Sequence, residues 1–218
     1  LQFNNIIANI SLKALQNDSI NASIKRLSVT ESSGIELKKL SLKVVGNRDQ
    51  MQLQNFEVNL PQSKLEIDTM NLRYAGVTSF DEFADQVEFS LQTLPSHISL
   101  GDLSAFVPGF KNFKERVDFG LALKGTINQL SFTNINVNAD EHLYIQGNAN
   151  IDGLSNPKEA YLFTKLSRLS IDQEGMAFLI RNFSSEFTGV PPILERLETI
   201  AFNGELSGYF NDFVTYGI

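Results

Sequence analysis

Phe132-Thr133-Asn134-Ile135-Asn136-Val137-Asn138 holds, in seven residues, the two patterns that decide the fold. From Ile135 onward, apolar and polar residues alternate, the period of a strand with one face on a core and the other in water. Before that, two polar residues, Thr133 and Asn134, separate Phe132 from Ile135. A plain strand would turn one half of this stretch inside out, because a slip of one residue moves every side chain to the opposite face. A bulge at the polar doublet keeps one apolar face and bends the strand.

Both patterns recur along the chain. Alternation appears in Ile20-x-Ala22-x-Ile24, Leu40-x-Leu42-x-Val44, Phe56-x-Val58-x-Leu60 and Val117-x-Phe119-x-Leu121-x-Leu123. The doublet recurs in Leu37-Lys38-Lys39-Leu40, Leu53-Gln54-Asn55-Phe56, Ile67-Asp68-Thr69-Met70 and Leu166-Ser167-Arg168-Leu169. The first three are about 15 residues apart, a degenerate repeat that predicts a stack of similar turns around one apolar interior. The alternate positions are largely Asn, Gln, Ser, Thr and Lys, so the sheet is antiparallel and wetted on one side. The expected fold class is mainly β: a curved, elongated antiparallel groove with two or three short helices covering its interior. Residues 1–218 read as one continuous β-repeat fragment of a longer protein, with helical or irregular interruptions at 79–116 and 172–199.

Glycine falls in step with the apolar residues in Leu123-x-Gly125, Ile145-x-Gly147 and Phe202-x-Gly204. A strand glycine marks a bend or a close approach by another group; room left for an acyl chain is the alternative, and Asn203-Gly204 also fits a hairpin turn. Three segments break the strand pattern. Ser79-Phe80-Asp81-Glu82 fits a capping box. Leu100, Leu103, Phe106, Val107, Phe110 and Phe113 have near-helical spacing up to and past Pro108. Met176, Leu179, Ile180, Phe183 and Phe187 form one helical stripe after an Asp172 cap, and Pro191-Pro192 opens a further short helix. With Arg181 the one basic residue between Asp172 and Phe187, that stripe suits a lid on the sheet better than a membrane surface.

Composition excludes several functions. The 218 residues carry 18 basic and 25 acidic side chains, a net charge of −7 that argues against nucleic acid. There is no cysteine, hence no disulfide, thiolate metal site or cysteine nucleophile. His97 and His142, the two histidines, stand in neither metal-ligand nor catalytic spacing, and no phosphate loop or nucleophile elbow occurs. No catalytic, metal or cofactor residue is assigned, and the protein is expected not to be an enzyme. Absence of tryptophan speaks against the aromatic girdles of a transmembrane barrel.

Five segments, in their order along the chain, resemble the C-terminal part of the TamB-type translocation and assembly module proteins of the AsmA-like superfamily. They are Glu36 to Val44, Asn55 to Leu65, Leu100 to Pro108, Asp172 to Met176 leading into Arg181-Asn182-Phe183, and Phe202 to Gly208. The resemblance runs from about Ile35 to the end; residues 1–34 are read by alternation alone. It implies a periplasmic β-groove (a β-taco) in a Gram-negative envelope, with an inner-membrane anchor outside this fragment. It also implies phospholipid passage toward the outer membrane, or assembly of outer-membrane proteins with a β-barrel partner.

On that reading the inward positions line a lipid groove. They are Leu40, Leu42, Val44, Phe56, Val58, Leu60, Leu65, Ile67, Leu121, Leu123, Phe132, Ile135 and Val137. The partners are a phospholipid or other acyl-chain ligand and an outer-membrane barrel assembly protein. A 16-carbon tail in water costs on the order of 13 kcal/mol at about 0.8 kcal/mol per CH₂, and an apolar trough removes most of that without a catalytic group. Bulk opposes it, since inward aromatics such as Phe56, Phe119 and Phe132 fill cores more often than they line conduits. The alternatives are a structural β-domain with a sealed core and a strand-pairing partner of a barrel protein, neither carrying lipid.

Overall fold

A computed structural model describes residues 3–16, 19–31, 36–104, 115–156, 159–183, 198–209 and 212–218. It shows one antiparallel sheet of thirteen strands. These are β1 (Phe3–Gln16), β2 (Ser19–Glu31), β3 (Glu36–Gly46), β4 (Gln50–Asn59), β5 (Lys64–Arg73), β6 (Glu88–Thr93) and β7 (Ser96–Ser99). They continue with β8 (Arg116–Thr126), β9 (Gln129–Ala139), β10 (Leu143–Asp152), β11 (Tyr161–Asp172), β12 (Thr199–Tyr209) and β13 (Asp212–Gly217). Each strand pairs with its sequence neighbour except between β5 and β8, where β6 and β7 lie end to end in one slot. The interval 79–116, expected to be helical or irregular, therefore contains two strands. They are short, and Pro95 stands between them, which hides their alternation.

Hydroxyl groups repair the ladder at that break. Thr93 Oγ1 accepts from Leu121 N at 3.0 Å, and Ser96 Oγ accepts from Glu66 N at 3.0 Å. Both side chains are buried, so without these bonds backbone donors would be left unpaired.

All five polar doublets coincide with register shifts. Leu37 and Leu40 face Val29 and Leu27, so three steps on β3 oppose two on β2. The same count holds for Gln54–Glu57 against Lys43–Ser41, Ile67–Met70 against Thr93–Leu91, Phe132–Ile135 against Ala149–Gly147, and Leu166–Leu169 against Gly204–Phe202. A sixth bulge, at Ile24-Lys25-Arg26-Leu27, has the same form. Asn55 and Asn134 take φ of 50° and 54°, a conformation asparagine enters more readily than most residues. The bulges of β4 and β5 lie side by side, with Gln54 opposite Thr69 and Phe56 opposite Ile67. Farther along, Asn134 N donates to Asn148 Oδ1 at 3.1 Å and Asn203 Nδ2 donates to the Ser167 carbonyl at 2.9 Å. Most of the bulges form a transverse crease, and bulging of this kind is what bends a sheet.

Because each bulge resets the alternation, apolar residues meet across every junction. One row reads Leu12, Ala22, Val44, Leu53, Met70, Leu91, Leu123, Phe132 and Ala149, from β1 to β10. Helical segments plug this face at two places. α2 (Gln173–Phe183) buries Met176 and Phe178 against Ala139, Leu143 and Ile171. Phe178 lies outside the expected stripe, because the helix sits at the end of the strands and meets neighbours over a wider arc. At the opposite strand ends, Val87, Leu72 and Tyr74 form a second small core beside a 3₁₀ turn (Val77–Phe80) and α1 (Phe83–Gln86).

The capping box expected at Ser79 does not form. Ser79 lies within the 3₁₀ turn, 1% exposed, and its Oγ accepts from Ala75 N at 3.1 Å. Glu82 precedes α1 and pairs with Gln86 instead. Of the stripe from Leu100, the structure shows a 3₁₀ turn, Leu100–Leu103; residues 105–114 and 184–197, with Phe106 to Phe113, Phe187 and Pro191-Pro192, lie outside the described residues.

Candidate functional site: the apolar face

The two plugs leave the middle of the apolar face partly open. Of the thirteen predicted lining residues, only Ile67 is buried, at 4% exposure; the other twelve remain half-buried. A sealed two-layer core would bury inward side chains on both layers. Leu40, Val58 and Leu65 meet across β3, β4 and β5, with Phe56 beside Ile67 on the last two. Leu42 sits opposite Ile24, and Val44 between Ala22 and Leu53. Across the β6–β7 slot, Leu123 pairs with Phe132, and Val137 lies between Phe119 and Ile145. Leu121 keeps its face by strict alternation along β8, and Ile135 lies opposite Gly147. Leu60 differs: it falls in the β4–β5 turn, where its N–H donates to the Ser63 carbonyl at 2.9 Å. Pro61 cannot continue the ladder, so the strand stops one residue earlier than its alternation implies.

Residues not assigned to this surface extend it. Leu53, Met70, Leu91, Ile145, Leu169 and Phe202 share the face with the predicted set. The doublets flank Leu53, Met70 and Leu169, so counting face parity through each bulge would have found these three. Ile6, Ile10 and Leu12 on β1 lie on the same face and are 55–61% exposed.

The inward glycines serve the backbone, a neighbouring carbonyl occupying the place of each missing side chain. A Cβ on Gly125 would stand 1.9 Å from the Gln129 carbonyl oxygen, at a φ of +121°. One on Gly147 or Gly204 would stand 2.3 Å from the Lys165 oxygen or 2.2 Å from the Tyr216 oxygen. Gly204 lies within β12, paired with Leu166 and Gly217, so Asn203-Gly204 is not a hairpin turn.

Among the described residues, the ion pairs of the strands lie on the polar face. Lys39 pairs with Glu57 across β3 and β4, and that bond, against the counteracting effect of burial, holds the Glu57 carboxyl below its usual range. At the α2 plug, Asp172 Oδ1 accepts from Gly175 N at 2.9 Å, the expected N-cap, and Oδ2 lies 2.7 Å from His142 Nδ1. Among the described residues no group of three or more His, Asp or Glu side chains is placed to hold a metal. The surface offers non-directional apolar contact, bounded by polar edges. No family model, curated protein or solved structure matches the chain.

Proposed function

We propose that the chain is a non-enzymatic module of the Gram-negative envelope, acting in the periplasm, whose apolar face holds the acyl chains of phospholipids in passage between membranes. The observation that carries this reading is the apolar row that crosses the sheet while most of its side chains stay half-exposed. An acyl chain laid across such a surface exchanges water contact for contact with Leu, Val and Phe along its length, each CH₂ contributing about 0.8 kcal/mol. The TamB-type resemblance supports the same conclusion.

The test is a photoreactive phenylalanine analogue at Leu42 or Val58, with Ser41 and Glu57 as polar-face controls. Incubation with vesicles of phosphatidylethanolamine and phosphatidylglycerol is expected to give lipid adducts at the first pair and not the second. Equal adducts at all four positions, or none, would remove the reading.

A second reading is strand addition by an outer-membrane barrel assembly protein at β1. It rests on that strand's outer edge, where Ile6, Ile7, Ile10 and Leu12 are each more than half exposed and the ladder has no further partner among the described residues.

A further inference from the structure

The face opposite the apolar one carries a recess of about 750 Å³ over β6 to β11, a volume ordinary for a small-ligand site. We propose that this recess binds an anionic saccharide, a sugar bearing a phosphate or carboxylate.

The argument starts at its floor. Gly120 lies in the interior of β8 opposite Asn136, where glycine weakens a strand. Gly125 and Gly204 are required by neighbouring backbone, but nothing lies within 4 Å of a Cβ added at Gly120, and its φ is not in the left-handed region. Neither packing nor conformation calls for glycine there. What the missing side chain does is leave the floor of the recess empty, the other use of a strand glycine being close approach by a ligand.

The walls supply the chemistry. Asn136 and Gln146 face each other in register, Gln92 stands on the rim, and their side-chain amides have no hydrogen-bond partner among the described residues. An amide offers both donors and acceptors, which matches the adjacent hydroxyls of a sugar. Arg116 is neutralised by Asp118, with Nη2 and Oδ1 2.6 Å apart. Arg168 is different: its guanidinium lies 5.0 Å from the centre of the Tyr144 ring and has no carboxylate partner among the described residues. The Ser167-Arg168 doublet sets it there, so the bulge that bends β11 also supplies the recess with this cation. A guanidinium steered by an aromatic ring suits bidentate contact with phosphate or carboxylate. In a chain of net charge −7, this is a local site for an anion.

The recess and the apolar surface are on opposite sides of the sheet, so this proposal stands or falls independently of lipid carriage. Calorimetric titration of the 218-residue chain with glucose 6-phosphate and with glucuronic acid is expected to show binding at least tenfold tighter than with glucose or inorganic phosphate. Arg168→Gln is expected to weaken both anionic sugars by tenfold or more. Gly120→Val is expected to abolish binding while leaving the urea midpoint unchanged or raised, because the space is empty and valine suits a strand. Four results would each overturn the proposal: no binding of either sugar, inorganic phosphate binding as tightly as the sugars, full binding by Gly120→Val, or unfolding of that variant, since the floor would then not be free.

Discussion

His142 and Asp172 show how two exposed side chains bias where a helix docks. The hydrogen bond to Asp172 raises the His142 pKa above 6.5, with the nearby acidic groups adding to it. Burial pushes Asp172 up, but the Gly175 N–H and His142 outweigh it and hold the carboxyl below 3.8. The histidine therefore adds stability that is complete below about pH 6.5 and is lost as pH rises through its raised pKa. The aspartate's share is present above about pH 4 and is lost as pH falls through its lowered pKa. The α2 plug is thus strongest between these limits. Urea unfolding at pH 6 and pH 8 is expected to show a lower midpoint at pH 8, and His142→Gln is expected to remove that difference. An unchanged pH response in the variant would refute the assignment.

At the level of the element, the bulged strand is the unit that makes one apolar face possible. Each doublet adds a residue that the partner strand does not have, and the alternation on either side then points the same way. Deleting Asn134 from β9 takes away that residue. Ile135, Val137 and Ala139 would then turn to the polar face, a loss of about 3 kcal/mol from the apolar side chains alone, the first two being half-buried. Chemical denaturation of the deletion variant is expected to show a chain unfolded or nearly so at 25 °C. A midpoint within experimental error of the parent would mean that the bulge is incidental. The doublets were legible in the sequence, and so was the Asp172 cap, because each depends on residues adjacent in sequence. β6 and β7 were not, because six and four residues around Pro95 are too few to show a period.

For the whole molecule, the sheet does not close: β1 and β13 each pair on one side only among the described residues. β1 is 14 residues long, has no proline and a single charge, Lys13, and shows Ile6, Ile7, Ile10 and Leu12 to water. These are the features by which an edge invites another strand. Light scattering of the 218-residue chain is expected to show concentration-dependent association, and Ile10→Lys is expected to reduce it severalfold with little effect on the unfolding midpoint. Association unaffected by that charge would move the contact elsewhere. The face itself was readable from the sequence at all thirteen predicted positions except Leu60, which Pro61 places in a turn.

What the sequence by itself determined is local: strand period, the sites of the bulges, the polarity of the two faces and the cap of α2. These follow from neighbouring residues, whose side chains alternate by the geometry of an extended backbone. The tertiary structure decided which inward glycines are pressed by another strand, which helices plug which strand ends, that β6 and β7 share one slot, and that Gly120, Asn136, Gln146 and Arg168 border one recess. Those relations join residues far apart in the chain, and only the register of one strand on the next brings them together.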